Sequence, residues 1–235
     1  MKSIFFKKIC GTTLIFLLTA CSTPRHQILG TTYGWENAEG NIKILLDAQV
    51  NKLRIRHVRM QSSECKSGYQ EHLELAGEIG PDSTEAVALL LPKLHHCIRS
   101  DGQRMANSIF LSSGGGYLID GFKLGELLRY HQVQTVVTGG QICASSCAIA
   151  FLGGKYRSMY HNAQLLFHSP YVRIGGVAID CRDTGQVKLL QGYYNNMLGE
   201  RQGAFLLDRT MSYCSSTAGW TLNADGARLF GILQP

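Results

Sequence analysis

Ser108-Ile109-Phe110-Leu111-Ser112-Ser113-Gly114-Gly115-Gly116 opens a stretch in which Leu124, Leu127 and Leu128 then recur at helical spacing. The short apolar run predicts a strand, the glycines a turn, and the spaced leucines an amphipathic helix. The same order returns downstream. Val133 to Val137 is followed by Thr138-Gly139-Gly140 and an apolar helix from about Ser145 to Leu152, and Ala163 to Phe167 forms a further apolar strand ending at His168. Strands alternating with helices predict an α/β domain with a mostly parallel sheet and right-handed crossovers.

Upstream, Leu53, Ile55, His57 and Arg59 share one side of an alternating strand, and His72 to Ile79 alternates again until Gly80-Pro81. Asp82 and Ser83 then offer an N-cap to a helix carrying Ala86, Leu89, Leu90 and Leu94. Beyond Pro170, Gly175-Gly176 reads as a loop, with helices expected near Gln186 to Leu198, Ala204 to Met211 and Ala224 to Leu229.

The amino terminus has a different composition. Lys2, Lys7 and Lys8 precede the apolar run Gly11 to Ala20, too short to span a bilayer, so residues 1–20 read as a secretion signal. Leu18-Thr19-Ala20-Cys21 resembles a lipobox, which implies a mature chain beginning at a lipidated Cys21 and held to a membrane without crossing it. Ser22 stands where an inner-membrane retention signal carries Asp, favouring the outer membrane of the periplasm. Residues 21–50, with Pro24, Gly30, Gly34 and Gly40, read as a lipidated tether and lead-in, leaving 51–235 as the domain.

With 235 residues, 45% hydrophobic and 17% charged, the chain can bury one sizeable core. Cleavage after Ala20 removes three lysines and no acid, lowering the formal net charge from +6 to +3. That small charge, with no Lys/Arg run, argues against a nucleic-acid partner.

Setting Cys10 and Cys21 aside leaves Cys65, Cys97, Cys143, Cys147, Cys181 and Cys214. An even number in an exported chain predicts disulfides. Fifteen pairings are open, with nearness giving only a weak preference for Cys143 with Cys147. Zinc is the competing reading, but no second closely spaced pair completes a tetrahedral set, so neither metal nor cofactor is expected.

In a parallel sheet all strands point their carboxyl ends to one edge, where ligands bind. That edge gathers Ser112 to Gly116, Gly139 to Ser145, and His168. Glycine amides, a serine at a helix start and an imidazole are what acyl transfer needs: an oxyanion hole, a nucleophile and a base. Ser145 and Ser146 both fit the helix start.

Residues 72–170 resemble the Clp protease proteolytic subunit and its relatives in the Clp/crotonase superfamily. The likeness is carried by Leu75-Ala76-Gly77-Glu78-Ile79, Ser112 to Gly116, Cys143-Ala144-Ser145-Ser146-Cys147-Ala148, Phe151 to Gly154 with Arg157, and Phe167-His168-Ser169-Pro170. The Cys-x-Ser-x-Cys motif resembles a secreted branch of that superfamily. The resemblance implies a spiral of ββα units, with Ser145 as nucleophile, nine residues before Gly154, and His168 as base. It implies an oxyanion hole from the amides of Ser146 and of Gly114 or Gly115, a peptide or protein substrate, and assembly into a homo-oligomer. The family's aspartate falls on Gly219 in a gapless match, and the nearest acids, Asp208 and Asp225, read as surface carboxylates. A Ser-His dyad and an inactive scaffold that keeps the fold are therefore both open. Crotonase-like thioester chemistry is disfavoured, because such substrates are cytosolic.

Overall fold

The computed structural model describes residues 35–36, 40–179, 181, 183–215 and 217–233. The secretion signal, Cys21 and most of the tether lie outside the described residues. The remainder of the tether shows that the domain does not begin at residue 51. β1 (Trp35–Glu36) pairs with β2 (Ile42–Val50), which runs antiparallel to β3 (Leu53–Gln61). Ile44, Leu46, Ala48 and Val50 of β2 are buried at every second position. That alternation was masked in sequence by the glycines and polar residues around it.

β3 pairs antiparallel with β4 (Tyr69–Ile79), and the sheet turns parallel at β5 (Ser108–Gly116). Between them lie α1 (Ser83–Leu90) and a 3-10 turn at Leu91–Lys93, and α2 (Leu118–Tyr130) follows β5. The sheet then divides. The first residues of β5 pair with β6 (Gln134–Val137), which pairs with β8 (Tyr156–Met159). Near its end, Ser113 pairs with Cys143 of β7 (Ile142–Ala144), and β7 pairs with β9 (Gln164–Phe167). All these pairings are parallel, with α3 (Ser146–Leu152) crossing from β7 to β8. The fork lets one strand serve two sheet branches.

The loop expected at Gly175-Gly176 is the turn of an antiparallel hairpin, β10 (Val172–Ile174) and β11 (Val177–Ile179). Both glycines have positive φ, 56° and 85°, as a two-residue turn matched to strand twist requires. α4 (Thr184–Leu198) and α5 (Glu200–Met211) pack on each other. β12 (Trp220–Leu222) closes the β9 branch antiparallel, and α6 (Ala224–Leu229) ends the fold.

α3 is buried at all seven positions, so it is the central helix of the core. Arg157 of β8 lies under it and donates to the carbonyls of Ile232, Leu152 and Gly154, at 2.6, 3.2 and 3.1 Å. Burial, with Arg129 nearby, lowers its pKa to about 10. On the antiparallel side, Glu71 is buried and accepts from His57, Arg59 and the His95 N–H. Disulfides join Cys65 to Cys97, Cys143 to Cys147 and Cys181 to Cys214. Among the described residues no helix is long and apolar enough to cross a membrane.

Candidate active site

Ser145 stands between β7 and α3 with φ 56° and ψ −124°. A serine rarely adopts positive φ, which costs about 1 to 3 kcal/mol and persists only where the surroundings impose it. The surroundings here do. The Ser145 N–H donates to the Leu166 carbonyl at 2.8 Å, tying it to β9, and its own carbonyl accepts from Ile149 at 3.0 Å. The Cys143–Cys147 disulfide straddles it, joining the last turn of strand to the first turn of helix. A sharp strand-to-helix turn with serine at its apex is the geometry that lifts a nucleophilic hydroxyl clear of the backbone.

Ser145 and His168 line one cavity of about 370 Å³ at the carboxyl edge of the sheet. Ser146 does not line it. It is 1% exposed, faces Gly121 of α2, and its hydroxyl has no hydrogen-bond partner. The choice between adjacent serines, open in the sequence, is thus settled by direction: one faces the cavity and the other faces a helix.

The glycine triplet is placed differently from expectation. Gly115 runs against Ser145, but its N–H donates to Ser113 Oγ at 3.0 Å, and Gly114 is exposed away from the cavity wall. Gly116 is the glycine on that wall, with Tyr117 beside it. The β4–β5 register shifts between the Ala76 and Glu78 pairings, and Gly115 and Gly116 have φ 108° and 152°, so the chain turns inward one residue later than the sequence suggested. The signal was present as the third glycine of the same run.

His168 follows β9 and is half-buried, its ring 5.4 Å from that of Tyr171. Its Nδ1 lies 2.9 Å from the Ser169 carbonyl oxygen, which can only accept, so Nδ1 carries the proton and Nε2 presents its lone pair. Ser169 is itself anchored, its N–H and its hydroxyl both donating to the Tyr213 carbonyl at 2.9 and 2.7 Å. Among the described residues no hydrogen bond joins the Ser145 hydroxyl to His168, and no carboxylate bonds the ring.

Asp208 is exposed on α5, and Asp225 is 88% exposed and paired with Arg228. Gly219 lies one residue beyond the Trp220–Phe167 pairing, which puts it opposite His168. A Cβ at Gly219 would stand 2.6 Å from the Phe167 carbonyl and 2.5 Å from Leu166 Cδ2. The place across from the imidazole is therefore filled by close-packed backbone. Sequence reasoning also missed Glu78, Tyr171 and Arg173 on the cavity wall, because they come from strands and a hairpin distant in the chain.

The Clp protease family model matches residues 72–201, more than half of the chain. The chain belongs to the Clp protease family. Among solved structures, this Clp protease family member is similar to the 1510-N membrane-bound stomatin-specific protease. A mutant of that protein in complex with a substrate peptide has a TM-score of 0.52 and 13% identity, over 68% of this chain and 71% of the other. A second mutant has a TM-score of 0.51 and 12% identity, over 68% and 75%. ClpP1 from Listeria monocytogenes is 19% identical over 66% of this chain and 84% of the other, with a TM-score of 0.47. At these identities the likeness is one of fold. No curated protein matches the chain in sequence.

Proposed function

We propose that this Clp protease family member is a serine peptidase, exported to the periplasm, held to the outer membrane by a lipid on Cys21, and acting through an acyl-enzyme on Ser145. The observation that carries the reading is the positive-φ turn at Ser145, placed on the same cavity as His168. In the reaction, Ser145 Oγ attacks the scissile carbonyl while His168 Nε2 takes its proton. The oxyanion receives the Ser146 N–H at the start of α3 and an amide of the glycine segment at Gly116. Collapse breaks the C–N bond, and the amine leaves with the proton from His168. Water, deprotonated by the same nitrogen, then frees Ser145. The Ser169 carbonyl does the orienting work that an aspartate does in a triad, with less charge to stabilise the imidazolium. Hydrogen bonds of resting sites commonly tighten only with substrate, so rotation of the Ser145 side chain toward Nε2 completes the pair.

Three disulfides fit an oxidising compartment. A second reading, a scaffold that keeps the fold without the chemistry, is favoured by Gly219 and by the unmade Ser145–His168 bond. Intact-mass spectrometry after a fluorophosphonate probe decides between them: an adduct on the wild type, absent from Ser145→Ala, supports the peptidase, and no adduct on the wild type supports the scaffold. Metabolic labelling with a palmitate analogue tests the anchor, which fails if Cys21→Ser is still labelled.

A further inference from the structure

The opposite edge of the sheet carries a second built feature. Ser108, Gln134 and Tyr156 pair in register at the amino ends of β5, β6 and β8, and two adjoining cavities of about 430 and 550 Å³ open there. They share Arg104, Met105, Ala106 and Tyr156, so they form one cleft. Its charged lining is all of one sign: Arg99 and Arg104 in one half, and Arg104 and Lys155 with His96 and His131 in the other. No carboxylate lines either half. Among the described residues no ion pair engages Arg99, Arg104 or Lys155, and Lys155 instead donates to Gln132 at 3.0 Å. Asp101, the nearest acid in the chain, accepts from the Gln103 N–H outside the lining.

The cations stand on a braced loop. The Cys65–Cys97 disulfide fixes its start, Cys65 and Arg99 form a bridge, Ile98 bridges to Arg104, and the Met105 N–H donates to the Cys97 carbonyl at 2.9 Å. Preorganised cations give up little freedom when an anion arrives. For His96, burial and the charge of Arg104 both lower the pKa, as expected where positive charge is uncompensated.

Tyr130 and Tyr156 are 82% and 50% exposed at the rim, offering flat apolar faces between the charges. Rings of this kind pack on sugar faces, while the amides of Gln103 and Gln132 suit hydroxyls. We propose that this cleft binds an acidic saccharide, a sugar chain carrying more than one phosphate, sulfate or carboxylate group. The separation of cations across both halves is what requires several anions, and the aromatic rim is what distinguishes a sugar chain from a bare anion.

The test is calorimetric titration of the full chain in detergent with a heparin-derived hexasaccharide, with inorganic pyrophosphate, with neutral maltohexaose and with a thymidine oligonucleotide. The hexasaccharide is expected to bind more tightly than pyrophosphate, and maltohexaose not at all. Arg104→Gln with Lys155→Gln should weaken it by about tenfold or more without moving the melting temperature, since both side chains are at the surface. Affinity unchanged in that double variant, no binding of the hexasaccharide, or tighter binding of pyrophosphate or the oligonucleotide overturns the proposal.

Discussion

Gly115 presses its backbone so closely on Ser145 that a Cβ there would stand 2.6 Å from the serine Cβ and 3.2 Å from its hydroxyl oxygen. With φ at 108°, the position also excludes an ordinary L side chain. Gly115→Ala must therefore push the two turns apart. A displacement near 1 Å costs about a hundredfold in rate where reacting groups are prealigned. Fluorophosphonate labelling of Gly115→Ala should slow by that order with circular dichroism unchanged; labelling at the wild-type rate would show that the contact does not position Ser145.

The strain at Ser145 makes a separate prediction. Glycine tolerates φ 56° without penalty, whereas alanine keeps the strain and loses the hydroxyl. Both Ser145→Gly and Ser145→Ala should lose labelling, while Ser145→Gly should melt no lower than Ser145→Ala. Ser146→Ala should keep labelling, because its buried hydroxyl has no partner to lose. Thermal scans beside probe labelling read all three.

The disulfides should separate stability from activity. In the chain-entropy account, bridges across 32 and 33 residues contribute about 3.7 kcal/mol each and one across four residues about 2 kcal/mol. Replacing Cys143 and Cys147 by alanine should cost less stability than replacing Cys65 and Cys97, yet only the former pair should suppress labelling. Urea unfolding with labelling in parallel tests this crossed pattern, and the reverse assignment would refute it.

Acid should act through Glu71. Burial alone would raise its carboxyl, but the His95 N–H, Arg59 and His57 outweigh that and hold it below the ordinary 4.5. A carboxyl depressed in the folded state contributes stability that is fully present above its unfolded value and is lost as pH falls through its folded value. Stability should therefore decline below about pH 4.5. Glu71→Gln should flatten that decline while costing about 3 to 5 kcal/mol at neutral pH, because buried cationic partners lose their counter-charge. Urea midpoints across pH measure both.

Restoring an acid opposite His168 should fail. A side chain at Gly219 meets backbone at 2.6 Å, so Gly219→Asp should destabilise by about 1 to 3 kcal/mol and leave labelling no faster. Faster labelling in that variant would mean the gap opens and the dyad reading is wrong.

Much of the fold could be read from local pattern. Ser108 to Leu111, Val133 to Val137 and Ala163 to Phe167 announce strands because buried parallel strands need continuous apolar runs, and Gly114 to Gly116, Ser145 and His168 follow those strands directly. The motifs of residues 72–170, including the Cys-x-Ser-x-Cys around Ser145, were sufficient to suggest the family. What escaped is short or partnered at a distance. β7, β8 and β12 have three or four residues each, too few for a period to show, and β2 is a strand only because β3 lies beside it.

Direction was decided in three dimensions. Ser145 and Ser146 are chemically identical neighbours, and only the turn imposed by β9, Gly115 and the Cys143–Cys147 bridge sends one to the cavity and the other against Gly121. The amide of Gly115 is spent on Ser113, the imidazole is aimed by the Ser169 carbonyl, and the space opposite His168 is closed by Gly219, all through contacts between atoms that sequence spacing does not relate. Local pattern determines which chemistry the chain can bring to a sheet edge. Which hydroxyl, which amide and which carbonyl face one another depends on packing between segments remote in sequence.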